Sequence, residues 1–92
     1  MEYVWEDEKN RSNIKKHGVA FEDAVKIFGG AVVEQQDDRF EYGEIRIYAI
    51  GLLQGLELVV VYADDNNGDR RIISARKAEK HERKLYWEKQ KI

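Results

Sequence analysis

The stretch from Arg70 to Tyr86 gathers guanidinium, carboxylate, imidazole, hydroxyl and phenol groups within seventeen residues. Read as a strand, Arg70 to Ala75 places Arg70, Ile72 and Ser74 on one face and Arg71, Ile73 and Ala75 on the other. On the helix expected to follow, Glu79, Glu82, Arg83 and Tyr86 fall at i, i+3, i+4 and i+7, one continuous face. Such a set could cleave a phosphodiester without a metal. That chemistry needs a base for the ribose 2′-OH and cations over the phosphate as negative charge builds. It also needs a proton for the leaving 5′-oxygen. Glu82 or His81 offers the base or acid, and Arg71, Arg76 and Arg83 offer the cations. The same residues also read as a solvated helix whose ion pairs each contribute a few tenths of a kcal/mol. His17 closes an N-terminal helix, where a cation suits the helix dipole whether it caps or catalyses.

Other chemistries find no footing. Without cysteine there is no disulfide framework, thiolate zinc site or cysteine nucleophile. His17 and His81 lie on different expected helices, with no spacing that suggests a shared metal. No phosphate loop, dinucleotide fingerprint or HExxH motif occurs. Ser12 and Ser74 have no triad arrangement around them. Neither metal nor cofactor is expected.

The elements that must position these groups follow from periodicity. Tyr3-Val4-Trp5 reads as a short strand. A helix from Asp7 to His17 stops at Gly18, with acids in its first turn and bases in its last. Ile14 is its one large apolar residue. Phe21, Ala24, Val25 and Phe28 form the stripe of a second helix ended by Gly29-Gly30. Ala20 stands at its N-cap and forgoes ~1 kcal/mol of capping, so packing must hold that helix. Strands are expected at Ala31 to Gln35, Glu44 to Ile50, Leu56 to Ala63 and Arg70 to Ala75. The third of these is nearly continuous in apolar residues and should be central. Turns fall at Gln54-Gly55 and Asn67-Gly68. A C-terminal helix should run from Lys77 to about Lys89. The class is α+β: two N-terminal helices, an antiparallel sheet of three to four strands and a C-terminal helix, in one domain over residues 1–92.

Composition agrees with a small globular chain: 92 residues, 42% hydrophobic and 37% charged. The longest apolar run, Leu58 to Ala63, is far below the roughly 18 residues of a membrane span, and the acidic N-terminus is unlike a signal peptide. A cytoplasmic protein with no membrane partner is expected. The net charge of −2 hides a strong asymmetry. Residues 19–69 carry eleven acids against three bases, whereas residues 70–92 carry nine bases against three acids. The basic quarter reads either as a polyanion-facing surface or as a helix answering the acids of a neighbouring sheet.

Several motifs together resemble the BrnT toxins. They are Trp5 with Lys9 and Asn13, Lys16-His17-Gly18-Val19, Phe21-Glu22-Asp23-Ala24 with Phe28, and Gly43-Glu44-Ile45-Arg46 with Gly51. The likeness continues through Leu58 to Tyr62, Arg71-Ile72-Ile73-Ser74-Ala75-Arg76-Lys77-Ala78, Glu82-Arg83 and Tyr86, covering nearly the whole chain in order. The resemblance implies a RelE-like fold and the toxin of a bacterial type II toxin–antitoxin pair, cleaving RNA without metal to stop translation and growth. It implies a cognate BrnA-like antitoxin as partner, with DNA reached only through that antitoxin. By the same resemblance, Arg71 and Arg76 are the phosphate-binding and transition-state residues, Glu82 the proton-transfer group and His17 its competitor. Lys16, Ser74, Arg83 and Tyr86, joined by the basic Arg70 and Lys77, form the RNA-binding set. The chain departs from the pattern at Glu6, where Asp is usual, and at Ala20, where Ser or Thr is usual. Its acidic balance leaves an alternative: a catalytically inactive toxin fold serving as a protein-binding module or transcriptional co-regulator. The two differ in whether Arg71, Arg76 and Glu82 converge on an open cleft or neutralise one another in buried pairs.

Overall fold

The structure, a computed structural model, describes residues 1–39 and 41–91. Its elements are β1 (Tyr3–Val4), α1 (Asp7–His17), α2 (Phe21–Ala24) continued by a 3₁₀ turn (Val25–Gly29), β2 (Val33–Gln36), β3 (Ile47–Leu53), β4 (Leu56–Asp64), β5 (Arg70–Lys77) and α3 (Lys80–Gln90). The sheet has five strands in the order β1-β5-β4-β3-β2, more than the three or four expected. The extra strand is Tyr3–Val4, which joins β5 in parallel while every other pairing is antiparallel. The sheet is therefore mixed. β4 is central, as its apolar run requires.

Helices cover the two faces unequally. On one face α1, α2 and the 3₁₀ turn bury Phe21, Ala24 and Ile27 against Leu58, Val60, Tyr62, Ile72 and Ala75. Gly51 permits this approach, because a Cβ there would meet Ile27 Cβ at 2.9 Å. On the other face α3 seats Tyr86 and Leu85 on Ile50 and Val59, a smaller cluster that covers only part of the sheet.

Two buried asparagines explain how the polar α1 is held. Asn13 lies against the outer edge of β5 beyond the two-residue β1. Its side chain accepts from Ala75 N–H at 3.1 Å and donates to Ala75 O at 2.8 Å, completing the ladder that a longer β1 would have made. Asn10 Oδ1 accepts the Phe21 N–H at 2.9 Å. The missing cap at Ala20 is thus supplied from α1 rather than by packing alone. Gly18 ends α1 at φ 73°, its N–H bonded to Ile14 O, as its position after Lys-His predicts.

The C-terminal helix starts later than expected. Lys77 still pairs with Leu58, and the Ala78 N–H reaches Glu57 O at 3.0 Å, so the ladder claims these residues before the helix begins at Lys80. The second helix is a single α turn that tightens into 3₁₀ geometry. β2 starts two residues late at Val33, and β3 at Ile47, with Glu44 to Arg46 left in the preceding loop.

Candidate active site

β5 does not alternate as its sequence suggests. Val61 pairs with Ser74 while the next residue, Tyr62, pairs with Ile72, so Ile73 is an extra residue in a β-bulge. Directly opposed residues of antiparallel strands share a face. Arg71 opposite Ala63, Ser74 opposite Val61 and Arg76 opposite Val59 therefore all point to the α3 side. The expected grouping of Ser74 with Arg70 is corrected: the bulge moves Ser74 into register with Arg71 and Arg76.

This row borders the part of the sheet that α3 leaves uncovered. An open cleft of about 390 Å³ is lined by Gln35, Asp37, Arg39, Tyr48, Val61, Arg76, His81 and Glu82, among others. On its wall, Arg76 Nη1 and Nη2 donate to the two oxygens of Glu82 at 2.7 and 2.8 Å. Glu82 is also the acceptor for the Glu79 N–H at 2.7 Å, at the first turn of α3. Burial alone would push the Glu82 carboxyl up. Hydrogen bonds from Arg76 and Glu79 outweigh it, with the positive charge of Arg76 adding to them, and hold it below the ordinary glutamate value. The same bond to Glu82 raises Arg76. Glu82 is thus a fixed anion with both oxygens engaged, and Arg76 a fixed planar cation.

The facing wall comes from the segment after β2. Asp37, 5% exposed, receives Arg39 Nε at 2.8 Å and Nη2 at 3.1 Å, and the Tyr42 hydroxyl at 3.2 Å. The bond to Arg39 is the main reason its carboxyl lies low. Tyr48 projects between the walls and hydrogen-bonds Gln35. Burial, then the negative charges of Glu82 and Asp37, pushes its phenol up. Tyr48 and Asp37 escaped the sequence reading. Period-two alternation over Glu44 to Ile50 carried a signal for Tyr48, since it lies on the opposite face from the core residues Ile47 and Ala49, but nothing local marks Asp37.

The remaining expected residues separate. Lys16 and His17 line a second groove with Lys9, Ser12, Asn13, Ile73 and Ser74, so Ser74 links the α1 edge to the arginine row. Arg71 lies toward the far end of that row, paired with Glu44. Arg70 is on the opposite face, stacked 3.9 Å over the Tyr62 ring and doubly bonded to Asp64, which corrects its place beside Arg71 in one basic surface. Lys77, opposite Leu58, points to that face too. Tyr86 is 3% exposed and gives its hydroxyl to Ala31 O, so its ring belongs to the core rather than to an RNA-facing surface. Arg83 is exposed and donates to Ala78 O at 2.8 Å. The supposed single face of Glu79, Glu82, Arg83 and Tyr86 is therefore split, with Glu82 and Tyr86 buried and Glu79 and Arg83 exposed. Among the described residues no cluster of three or more His, Cys, Asp or Glu could hold a metal ion, and no helix is long and apolar enough to cross a membrane.

Fold and site define a small α+β protein with an arginine row and a carboxylate-locked guanidinium on one open sheet face. The chain belongs to the BrnT family, described as the ribonuclease toxin of a type II toxin–antitoxin system, which it matches over residues 5–82. Its fold is similar to the crystal structure of the Brucella abortus ribonuclease toxin BrnT, at 26% identity and a TM-score of 0.65, covering 87% of this chain and 99% of that one. A search of curated proteins gave no match.

Proposed function

We propose that this chain is an endoribonuclease toxin that cleaves RNA without a metal ion. Arg71, Arg76 and Glu82 do not converge in one cleft, since Arg71 pairs with Glu44 while Arg76 and Glu82 neutralise each other. The observation that carries the proposal is that this second pair leaves the Arg76 side chain 29% exposed on the wall of an open cleft, in a chain of a ribonuclease toxin family. Glu82 takes one N–H from each terminal nitrogen of Arg76. Among the described residues nothing takes the Arg76 Nε–H, which is left to meet a phosphate oxygen together with an outer Nη2–H. A guanidinium held in this way is already oriented when charge builds on the phosphorane, so no reorganisation is needed then.

Glu82 serves this chemistry as a positioning residue. A carboxylate held ionised, with both oxygens already engaged by Arg76, is better suited to orienting that guanidinium than to giving up a proton, which revises the proton-transfer role read from the sequence. Two imidazoles flank the arginine row instead: His81 beside Arg76 and His17 beside Ser74. One takes the 2′-OH proton as the 2′-oxygen attacks phosphorus. The other protonates O5′ as the P–O5′ bond breaks, leaving a 2′,3′-cyclic phosphate and a 5′-hydroxyl. Lys16 and Ser74 extend the binding surface toward α1. The family's type II toxin–antitoxin description supports a cognate antitoxin as protein partner, which we read as BrnA-like, with DNA reached only through it.

Inducible expression in a bacterial host, followed by growth and total RNA integrity, tests the reading. Wild type should arrest growth and fragment RNA, and purified protein should cleave RNA in EDTA. Arg76→Ala should abolish both, and His17→Ala and His81→Ala should each lower cleavage by about 10²- to 10⁴-fold. Unimpaired growth with folded wild-type protein would overturn the nuclease and favour a binding module.

A further inference from the structure

The open sheet face carries a second pair of arginines, and their carboxylate comes from a loop. Arg71 Nη2 meets the two oxygens of Glu44 at 2.6 and 2.5 Å, while Arg46 Nε donates to Glu44 Oε2 at 3.1 Å. Two guanidinium groups thus converge on one monoanion. Arg46 is held in place by the Tyr42 ring, 4.0 Å beneath its guanidinium carbon, and the Tyr42 hydroxyl is in turn given to Asp37. Solvent reaches all three charged groups: side-chain exposure is 37% for Arg71, 34% for Glu44 and 24% for Arg46. Glu44 precedes β3 and follows Gly43 at φ 73°, and among the described residues no strand pairing includes it.

We propose that Arg46 and Arg71 form a phosphate subsite for single-stranded RNA, and that the Glu44 carboxylate occupies it until a phosphodiester takes its place. The choice of RNA rests on the nuclease reading above. The exchange replaces one monoanion by another between the same donors, so charge balance is kept. Guanidinium groups bind carboxylate and phosphate oxygens by the same paired N–H geometry. Position supports a polymer over a lone anion. Arg71 and Arg76 oppose Ala63 and Val59, four residues apart on β4, or about 13 Å along the sheet. One strand crossing this face therefore sets different phosphates on the two arginines. Arg46 becomes a binding residue, and Glu44 an internal competitor that makes weak ligands fail.

The test uses a 2′-O-methyl RNA oligonucleotide, which lacks the attacking hydroxyl and remains intact, with binding followed by fluorescence anisotropy across salt concentrations. Glu44→Gln should tighten binding three- to tenfold. Arg46→Ala and Arg71→Lys should each weaken it at least threefold, and Arg46→Ala should flatten the salt slope by about 0.7. The Glu44→Gln gain should vanish in the Arg71→Lys background. Titration with inorganic phosphate should shift the Gly43 to Arg46 amide resonances in Glu44→Gln and not in Glu44→Gln combined with Arg71→Lys. Unchanged or weaker binding in Glu44→Gln, or unchanged affinity and slope in Arg46→Ala, overturns the subsite. Wild-type RNA cleavage alongside those unchanged values leaves the nuclease standing and removes only the subsite. The expected binding changes without cleavage of natural RNA keep the subsite and remove the nuclease.

Discussion

Two arginine–carboxylate pairs stand on the same sheet face, and they are built for different ends. Arg76 and Glu82 lie six residues apart, with the Glu82 side chain 8% exposed and one of its oxygens also taking the first-turn N–H of Glu79. Arg71 and Glu44 lie 27 residues apart, each about one-third exposed, and the carboxylate is shared with Arg46. The first pair is part of the strand-to-helix junction and cannot open without unwinding the start of α3. The second joins a strand to a loop and can open at little cost. An ion pair near an active site therefore reads as orienting or as exchangeable according to what else holds its carboxylate.

The contrast is broken most severely at Glu82. Glu82→Ala leaves Arg76 partly buried with only the more distant Glu79 carboxylate, at 4.0 Å, as counter-charge, and removes the acceptor for the Glu79 N–H. The expected loss is about 2–3 kcal/mol of stability, toward the low side for a buried pair because Arg76 keeps some solvent. Urea unfolding should show a lower midpoint with an unchanged slope. The same pair predicts a pH signature. Because the folded-state value of Glu82 is depressed, its stabilisation is complete above the ordinary glutamate value of 4.5 and is lost as pH falls through the folded-state value. The stability gap between wild type and Glu82→Gln should be level at neutral pH and close in acid.

The lock was only half legible in the sequence. Arg76, Glu79 and Glu82 could be picked out by type and spacing, and the helix following β5 was expected. What spacing could not supply was the start of α3 at Lys80 rather than Lys77. That delay turns Glu82 back over the strand instead of along a solvated face. The bulge at Ile73 was equally hidden, since Ile-Ile reads as regular alternation and the extra residue is defined only by pairing with Val61 and Tyr62 on β4. The central position of β4, Gly18 as a helix stop and both glycine turns were legible because they depend on local chemistry. Asn10 and Asn13 were not legible as fasteners, for their partners at Phe21 and Ala75 come from other elements. Glu44 met Arg71 across 27 residues, a distance at which charge pairing leaves no pattern.

Geometry, rather than charge, should decide the effect at Arg76. Arg76→Lys keeps the cation but replaces a planar two-pronged donor by a single ammonium, so the bidentate grip on Glu82 and the orientation toward phosphate are lost together. Stability should fall by about 1–2 kcal/mol, while RNA cleavage falls at least 100-fold. A lysine that cleaved within tenfold of wild type would show that a positive charge suffices there. The locked pair would then be structural only.

The smallest stability effect belongs to Glu44, and it gives the comparison its sharpest form. Glu44→Gln removes one charge from a solvent-reached cluster. The carboxylate lies low because Arg46 and Arg71 outweigh the effect of burial, but exposed pairs of this kind contribute about 0–1 kcal/mol after screening. The melting temperature should therefore shift by no more than a few degrees, far less than for Glu82→Ala measured under the same conditions. If Glu44→Gln destabilised the protein as much as Glu82→Ala, the loop carboxylate would be a second lock, and the distinction between an orienting and an exchangeable pair would fail. A near-neutral melt keeps it, because a carboxylate that can give way to a phosphate must hold its arginines loosely enough for the fold to stand without it.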